Sequence, residues 1–397
     1  MNASGPIFLP KGFKFSATSA GIKASGKPDL GLIIADPKAA AAALFTKNLV
    51  TAAPVQVGKD SLLRSKGRVG AIVVNSGNAN CATGATGVRD CKRVCAETAR
   101  VFKLAPAEVI SSSTGIIGVP LPAQKIISQL PKLASTAGAS VEHLRRFSEA
   151  ILTTDSKPKL ASVPLRSGRG AITGVAKGAG MIHPQLATML VYVLTDVLAK
   201  PAVLKTALRR ACDQTFNVIS IDGDTSTNDT VLLLASGASG LPYAQVQKEF
   251  DSALLEVCRS LAEQIIADGE GVQHVVRLEI QQATSRNEAL QIARAISHSL
   301  LVKTAWAGAD PNWGRILAAI GRSGIAIDPR KVSIEIGNEL VCRAGAACPF
   351  NEKAAHDELS QAECNIRVKL RRGKTSLQFL TTDLSVEYVR INADYST

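Results

Sequence analysis

A glycine-rich stretch at residues 177–190 carries residue types that could perform covalent chemistry. Lys177 is followed by Gly-Ala-Gly, and Thr188 precedes an apolar run that begins at Met189. Glycines let a backbone approach a ligand closely, and the apolar run indicates a buried strand. A threonine hydroxyl at the start of such a strand, close to a lysine, could act as a nucleophile. The alternative interpretation is a β-branched residue that simply starts a strand.

A second stretch, residues 108–118, ends a predicted strand in small polar side chains and two glycines, Gly115 and Gly118. A turn of this composition can point successive backbone N–H groups into a concavity, as an anion nest does. An oxyanion hole requires the same arrangement of donors. Thr114 and Gly115 are therefore candidates for that role, and a plain surface loop is the alternative.

The elements that must position these stretches form an α+β pattern of strands and helices. Asp36-Pro37 is typical of a helix start, so we predict an alanine-rich helix from Asp36 to Phe45. The predicted strands are residues 30–34, 70–75, 159–166, 170–176, 189–194, 217–221, 332–337, 365–370, 376–380 and 386–391. The other predicted helices are residues 88–102, 141–152, 201–214, 243–267, 285–304 and 314–320.

The acidic stretch Asp222–Asp229 resembles a metal-binding loop only superficially. Positions six and twelve of an EF-hand loop would be Thr227 and Leu233, where such a loop needs glycine and glutamate. We interpret the stretch as a hydrogen-bonded turn that supports the site.

The composition limits the classes of protein to consider. The chain has 397 residues and 46% hydrophobic content. It has no apolar run of the ~18 residues that a membrane span needs, and no signal-peptide pattern, so we expect a cytoplasmic protein. Among the eight cysteines, Cys91 and Cys95 are interpreted as reduced core thiols. The five histidines lack metal-ligand spacing, so no metal or other cofactor is expected.

The net charge of +13 is distributed unevenly. Residues 1–187 contain 24 basic and 9 acidic residues, or +15, whereas residues 188–397 contain 22 and 24, or −2. The basic residues are spread out and aromatic content is only 4%, which argues against nucleic-acid binding. A solvated basic surface explains the excess, and a field that attracts small anionic substrates is the functional interpretation.

Five stretches together resemble motifs of the glutamate N-acetyltransferase (ornithine acetyltransferase) family of arginine biosynthesis. They are residues 177–190, Ser113–Gly118, Asp222–Asp229, Asp310–Arg315 and Asn392–Thr397. They occur in the family's order and span nearly the whole chain. This sequence departs from the common pattern at Ala179, where the family more often has serine, and at Gln185-Leu186, where it more often has Asn-Met.

The resemblance implies a fold and a processing event. The expected fold is α+β, with a layered α/β/β/α sandwich-like main domain, a smaller C-terminal α/β domain and a self-processed N-terminal threonine nucleophile. Cleavage between Ala187 and Thr188 would produce an α chain, residues 1–187, and a β chain, residues 188–397. The freed α-amino group, with a pKa near ~8 in model peptides, could then serve as the base that activates the hydroxyl.

The resemblance also implies the reaction and the roles of individual residues. Acetyl would pass from N-acetylornithine to glutamate by a ping-pong route through an acetyl-Thr188 ester. Thr114 and Gly115 would form the oxyanion hole. The expected substrate-binding residues are Thr154, Lys177, Thr188, Glu270, Asn392 and Thr397. The first chain would contribute the oxyanion hole and Lys177, and the second Thr188, Glu270 and the C-terminal segment.

The resemblance does not decide whether acetyl-CoA also serves as a donor, which would make the enzyme bifunctional. Family members are typically heterotetramers of two processed pairs, and we expect no nucleic-acid or membrane partner. The alternatives are a self-processing aminopeptidase or amidase, which would hydrolyse its acyl-enzyme with water, and a basic non-catalytic protein that binds nucleic acid.

Overall fold

The computed structural model describes residues 5–165, 168–183 and 189–394. Its strands are β1 (Phe13–Thr18), β2 (Leu30–Phe45), β3 (Arg68–Asn78), β4 (Val109–Ile116), β5 (Lys159–Pro164), β6 (Ala171–Lys177), β7 (Leu190–Thr195), β8 (Ile219–Ser220), β9 (Thr230–Ala235), β10 (Val275–Ala283), β11 (Ser333–Ile336), β12 (Glu339–Arg343), β13 (Ala346–Ala347), β14 (Glu363–Lys369) and β15 (Thr375–Thr382). Its helices are α1 (Ala53–Arg64), α2 (Gly84–Phe102), α3 (Ala123–Ser135), α4 (Val141–Ala150), α5 (Pro201–Gln214), α6 (Tyr243–Ala267), α7 (Arg286–Ser297), α8 (Leu300–Ala307), α9 (Trp313–Gly321), α10 (Glu352–Leu359) and α11 (Val386–Asp394).

The larger sheet has the strand order β4-β3-β2-β9-β7-β6-β5, with β1 paired to β2. Strand β2 belongs to both halves of this sheet. Its residues 30–35 pair with β1, and residues 40–45 pair with β9. Strand β2 therefore connects the two halves of the sheet.

The two halves of the larger sheet share a hydrophobic core. Phe15 and Ile72 from one half belong to the same cluster as Tyr192 and Leu232 from the other. Phe147 of α4 lies in this cluster, with its ring centroid 5.7 Å from that of Tyr192. Helices α1, α2 and α3 cover the outer side of the first half, and α5 and α6 cover that of the second. This arrangement confirms the predicted α/β/β/α main domain.

The smaller sheet forms the C-terminal part of the molecule. Its strand order is β13-β12-β11-β14-β10-β15-β8. Helices α7 to α10 pack on it through a core that includes Trp306, Phe379 and Ile292. Strand β8 comes from the main domain and pairs in parallel with β15, so the two sheets are joined at this edge. The predicted smaller α/β domain is confirmed.

The predicted alanine-rich helix from Asp36 to Phe45 is wrong, because these residues are the second half of strand β2. The pairing with β3 is irregular between Ile34 and Ala39. Proline lacks the N–H that a ladder requires, so Pro37 falls at this irregularity rather than at a helix start. Ala39 to Ala42, which follow it, are buried, and alternate side chains belong to two different core clusters. Burial and pairing with β9 override the helix propensity of alanine.

Two further predictions differ from the structure. The single helix at residues 285–304 is two helices, α7 and α8, separated at His298-Ser299. The strand at residues 386–391 is instead helix α11. Its first turn is capped, because the Ser385 side chain accepts a hydrogen bond from the Tyr388 N–H at 3.2 Å.

The topology brings the candidate stretches together where neighbouring strands of the larger sheet begin or end. Lys177, at the end of β6, pairs with Leu190, at the start of β7. Leu190 also pairs with Thr230, at the start of β9. Strands before and after the predicted cleavage point thus lie side by side in one sheet. Within the described residues, no helix is long and apolar enough to cross a membrane.

Candidate active site

A cavity of about 220 Å³ opens at these strand ends of the larger sheet. The predicted site residues that line it are Thr114, Gly115, Thr154, Lys177, Glu270 and Asn392. The remaining predicted site residues, Ala187, Thr188 and Thr397, lie outside the described residues. Residues separated by almost 280 positions in the sequence are therefore brought together around one small space.

One wall of the cavity is the end of strand β4. Gly115 has φ of +130°, in the region that favours glycine. A Cβ atom at this position would lie 2.4 Å from the carbonyl carbon of Gly77 and 2.5 Å from the Asn78 nitrogen. The backbones of β3 and β4 thus approach each other so closely that only glycine fits. The wall is held further by Asn228, whose side-chain amide donates to the Ser113 carbonyl at 2.8 Å.

Lys177 stands beside this wall and is only 3% exposed. Its ammonium donates to the hydroxyl oxygens of Thr153 at 2.8 Å and Thr114 at 3.3 Å. Its nitrogen also lies 3.7 Å from an Asp155 carboxylate oxygen. A positive charge is therefore placed directly against the candidate oxyanion-hole hydroxyl.

Asp155 is a fully buried carboxylate behind Lys177. Burial alone would raise its pKa, but Lys177, Lys159 and the Gly178 N–H hold that pKa well below its ordinary value. Lys159 donates to Asp155 at 2.7 Å and to Asp268 at 2.6 Å. Buried charges are tolerated when they are paired in this way.

Glu270 and Asn392 form another part of the cavity lining. The Asn392 side-chain amide donates to the Glu270 carboxylate at 2.9 Å. The Glu270 backbone N–H donates to the Ala179 carbonyl at 2.8 Å. Gly180 is required next to it, because a Cβ atom there would lie 2.4 Å from a Glu270 carboxylate oxygen. The cavity thus contains a negative group as well as the positive Lys177.

The chain on both sides of the predicted cleavage point is held by the Asp222–Asp229 stretch, as expected for a supporting turn. The Asp222 carboxylate accepts from the N–H groups of Met181 at 2.5 Å and Ile182 at 2.9 Å. The Asp229 carboxylate accepts from the Met189 N–H at 3.1 Å. Burial raises the pKa of Asp222 to about 6 and the pKa of Asp229 well above its ordinary value.

Sequence reasoning missed several residues of this site. Asp155 follows the predicted Thr154, but an isolated aspartate in a loop carries no signal of burial. Tyr388 lies in a helix predicted as a strand, and its hydroxyl is 3.4 Å from Asp222. Sequence reasoning also missed a histidine pair that is not part of the cavity lining, in which the His183 Nδ1 and His298 Nε2 atoms are 3.0 Å apart. Burial lowers their pKa values to about 4 and about 3, so both are neutral at neutral pH.

A family model and two named relatives match almost the whole chain. A family model described as the ArgJ family matches residues 14–397. A Thermus thermophilus protein named arginine biosynthesis bifunctional protein ArgJ is 43% identical over 392 residues, which cover 98% of this chain and 100% of the relative. A Chlorobaculum tepidum protein of the same name is 41% identical over 397 residues, which cover 99% and 98%. A solved structure of this name from Bacillus halodurans is 39% identical and covers 51% of this chain and 98% of its own, with a TM-score of 0.49.

Proposed function

The chain belongs to the ArgJ family, and on this premise we propose that it transfers an acetyl group from N2-acetyl-L-ornithine to L-glutamate. It is an acyltransferase of arginine biosynthesis. The observation that carries the proposed reaction is the composition of one cavity, in which Thr114, Gly115, Lys177 and the Glu270–Asn392 pair meet.

The charges of the cavity suit this donor. N-acetylornithine carries a carboxylate and a side-chain ammonium on either side of its acetamide group. Lys177 supplies positive charge next to the substrate carboxylate. The Glu270 carboxylate accepts hydrogen bonds from the substrate ammonium, and Asn392 and Thr154 complete the pocket. Charge-assisted hydrogen bonds of this kind are stronger than neutral ones and fix orientation. Thr397, outside the described residues, is proposed to contact the substrate as well.

The proposed reaction proceeds in two half-reactions. The Thr188 hydroxyl oxygen attacks the acetyl carbonyl carbon, and its proton passes to the freed α-amino group of the same residue. Thr114 and Gly115 stabilise the oxyanion. The tetrahedral intermediate expels ornithine, whose nitrogen takes that proton, and leaves an acetyl-Thr188 ester. The amino group of glutamate then attacks the ester, which gives N-acetylglutamate and restores the free hydroxyl.

The base exists only after cleavage between Ala187 and Thr188, so we propose that residues 1–187 and 188–397 become separate chains. Their continued association is supported by strand pairing across the proposed cut, because β6 pairs with β7 and β2 pairs with β9. We further propose a heterotetramer of two processed pairs. We also propose acetyl-CoA as a second acetyl donor for glutamate, and the word bifunctional in the relatives' names is consistent with two activities.

A glutamate-dependence assay tests the reaction. Purified enzyme is incubated with N-acetylornithine at several glutamate concentrations, and N-acetylglutamate, ornithine and free acetate are measured. The proposal predicts equal amounts of N-acetylglutamate and ornithine, with parallel double-reciprocal plots. An amidase would instead release ornithine and acetate at a rate independent of glutamate. The control is Thr188→Ala, which should be neither cleaved nor active.

A further inference from the structure

The ammonium group of Lys177 is surrounded by oxygen atoms of the protein itself. An ammonium has three hydrogens and no acceptor. The Thr153 hydroxyl, the Thr114 hydroxyl and the Asp155 carboxylate offer three oxygens at 2.8, 3.3 and 3.7 Å. The two hydroxyl contacts are hydrogen bonds and the carboxylate contact is an ion pair. The protein therefore orients the Lys177 side chain before any substrate arrives.

This contact decides which way the Thr114 hydroxyl can donate. Because Lys177 can only donate, the Thr114 oxygen must accept, and its own hydrogen stays available. Within residues 5–165, 168–183 and 189–394, the Thr114 hydroxyl has no other hydrogen-bond partner. Thr114 lines the cavity, so its hydrogen is free to point at a developing oxyanion. A cation on the hydroxyl oxygen also strengthens its hydrogen as a donor.

Asp155 is what holds Lys177 in this position. Its side chain is fully buried, and one carboxylate oxygen accepts from Lys159 at 2.7 Å and from the Gly178 N–H at 2.5 Å. The other oxygen accepts from the Thr153 N–H at 3.1 Å and faces Lys177. Asp155 thus supplies the negative charge that faces Lys177. It also holds the backbone N–H groups of Gly178 and of Thr153, whose hydroxyl accepts a hydrogen bond from Lys177.

We propose that Asp155 is a positioning residue of the acetyl-transfer reaction, which acts through Lys177 to aim the Thr114 hydroxyl at the oxyanion. The inference rests on the proposed function and adds to it a residue that does not touch the substrate. It also gives Lys177 a task in the transition state, in addition to attracting the substrate carboxylate. Such a task affects kcat rather than KM, because the oxyanion develops only in the transition state.

The first test is Asp155→Asn in the processed enzyme, with acetyl transfer from N-acetylornithine to glutamate as the assay. Asn keeps the shape of the side chain but removes the charge that orients Lys177. We expect kcat to fall by ~10- to 100-fold, since loss of one oxyanion-hole donor costs about 10²- to 10³-fold and misorientation costs less. KM should change by less than about threefold. A rise in KM with unchanged kcat would overturn the proposal, because it would mean that the network serves ground-state binding.

Asp268→Asn is the matched control. It removes the other carboxylate that pairs with Lys159, and Asp268 does not line the cavity. It should lower the melting temperature to a similar extent while kcat stays within about twofold of the wild type. An equal loss of kcat in both variants would show a general structural effect and would contradict the proposal.

A double-mutant cycle with Thr114→Val separates positioning from other effects. If Asp155 acts through the Thr114 hydroxyl, Asp155→Asn should reduce kcat less than about twofold once that hydroxyl is absent. Multiplicative losses would refute the inference. If Asp155→Asn alone does not fold, Asp155→Asn/Lys177→Met removes both charges and leaves none unpaired, because Lys159 keeps Asp268. That variant must also lose kcat for the inference to stand. Lack of transfer by the wild type would instead refute the proposed function.

Discussion

Replacing Gly115 by alanine should inactivate the enzyme far more than the same change three residues later. At Gly115 the new Cβ would lie 2.4 Å from the Gly77 carbonyl carbon, and φ is +130°. At Gly118 the φ of +83° is also unfavourable for alanine, but, apart from its chain neighbours, no atom of the described residues lies within 4 Å of the new Cβ. The two variants therefore share a conformational cost and differ in a collision between backbones.

The collision sets the magnitude. Carbon atoms in contact are about 3.5 Å apart, so the ends of β3 and β4 must separate by roughly 1 Å to admit the methyl group. A displacement of this size at an active site costs about 10²-fold in rate. The unfavourable φ adds about 1–3 kcal/mol of instability at either position. We expect Gly115→Ala to reduce kcat by ~10²-fold and Gly118→Ala to change it by less than about threefold.

The assay is steady-state acetyl transfer with thermal melting of both variants. Thermal melting gives the folded fraction of each variant at the assay temperature. The kcat of that folded fraction reports the geometry of the cavity wall at the end of β4. Equal kcat values for Gly115→Ala and Gly118→Ala would contradict the proposed collision between the backbones of β3 and β4. A change in KM alone for Gly115→Ala would contradict the oxyanion role of this wall, because the wall would then bind the substrate and not the oxyanion.

Three further predictions follow from the same cavity. Glu270→Gln should raise KM for N-acetylornithine by ~10- to 100-fold, the value of a hydrogen bond to a charged group, and leave KM for glutamate within about threefold; an equal rise for both substrates would contradict the assignment of the ammonium site. Gly180→Ala should act in the same direction without removing a charge, since its Cβ would displace the Glu270 carboxylate; initial rates against N-acetylornithine check this, and an unchanged KM would disprove the contact. Asp222→Asn should change the pH dependence of stability, because a pKa raised from 3.8 to about 6 penalises the ionised form. That contribution to stability is present below the unfolded pKa and is lost as pH rises through about 6, so the wild type should lose about 2 kcal/mol relative to the variant between about pH 4.5 and 7 in urea unfolding. A difference independent of pH would argue against an ionisable buried Asp222.

Helices with a clear apolar periodicity could be predicted from the sequence. The bounds of α5 and α6 agree with the predicted 201–214 and 243–267, because a buried face at helical spacing determines both. The alanine-rich part of β2 could not be predicted in this way. Alanine is a good helix former, and nothing local reveals that residues 40–45 pair with β9, nearly 190 positions away. Long-range pairing decided the structure there.

Some residues of the candidate site could likewise be predicted from the sequence, and others could not. Thr114, Gly115 and Lys177 stand out because glycines and small polar residues follow predicted strands, so their motifs carry a local signal. Asp155 does not, because its importance comes from three partners that the fold brings to it: Lys159, Lys177 and the Gly178 N–H. A buried charge network is a property of the tertiary structure. Motifs can suggest which residues react, whereas the groups that hold those residues in place are evident only in the folded structure.

The proposed Thr188 nucleophile is tested most directly by the intact mass of the purified protein, with N-terminal sequencing, before and after brief exposure to N-acetylornithine. We expect two chains, of which the second begins Thr188-Met189-Leu190 and gains one acetyl group on exposure. We also expect glutamate to remove this acetyl group. A single 397-residue chain that still transfers acetyl would contradict the account, because the freed amino group would then not be the base.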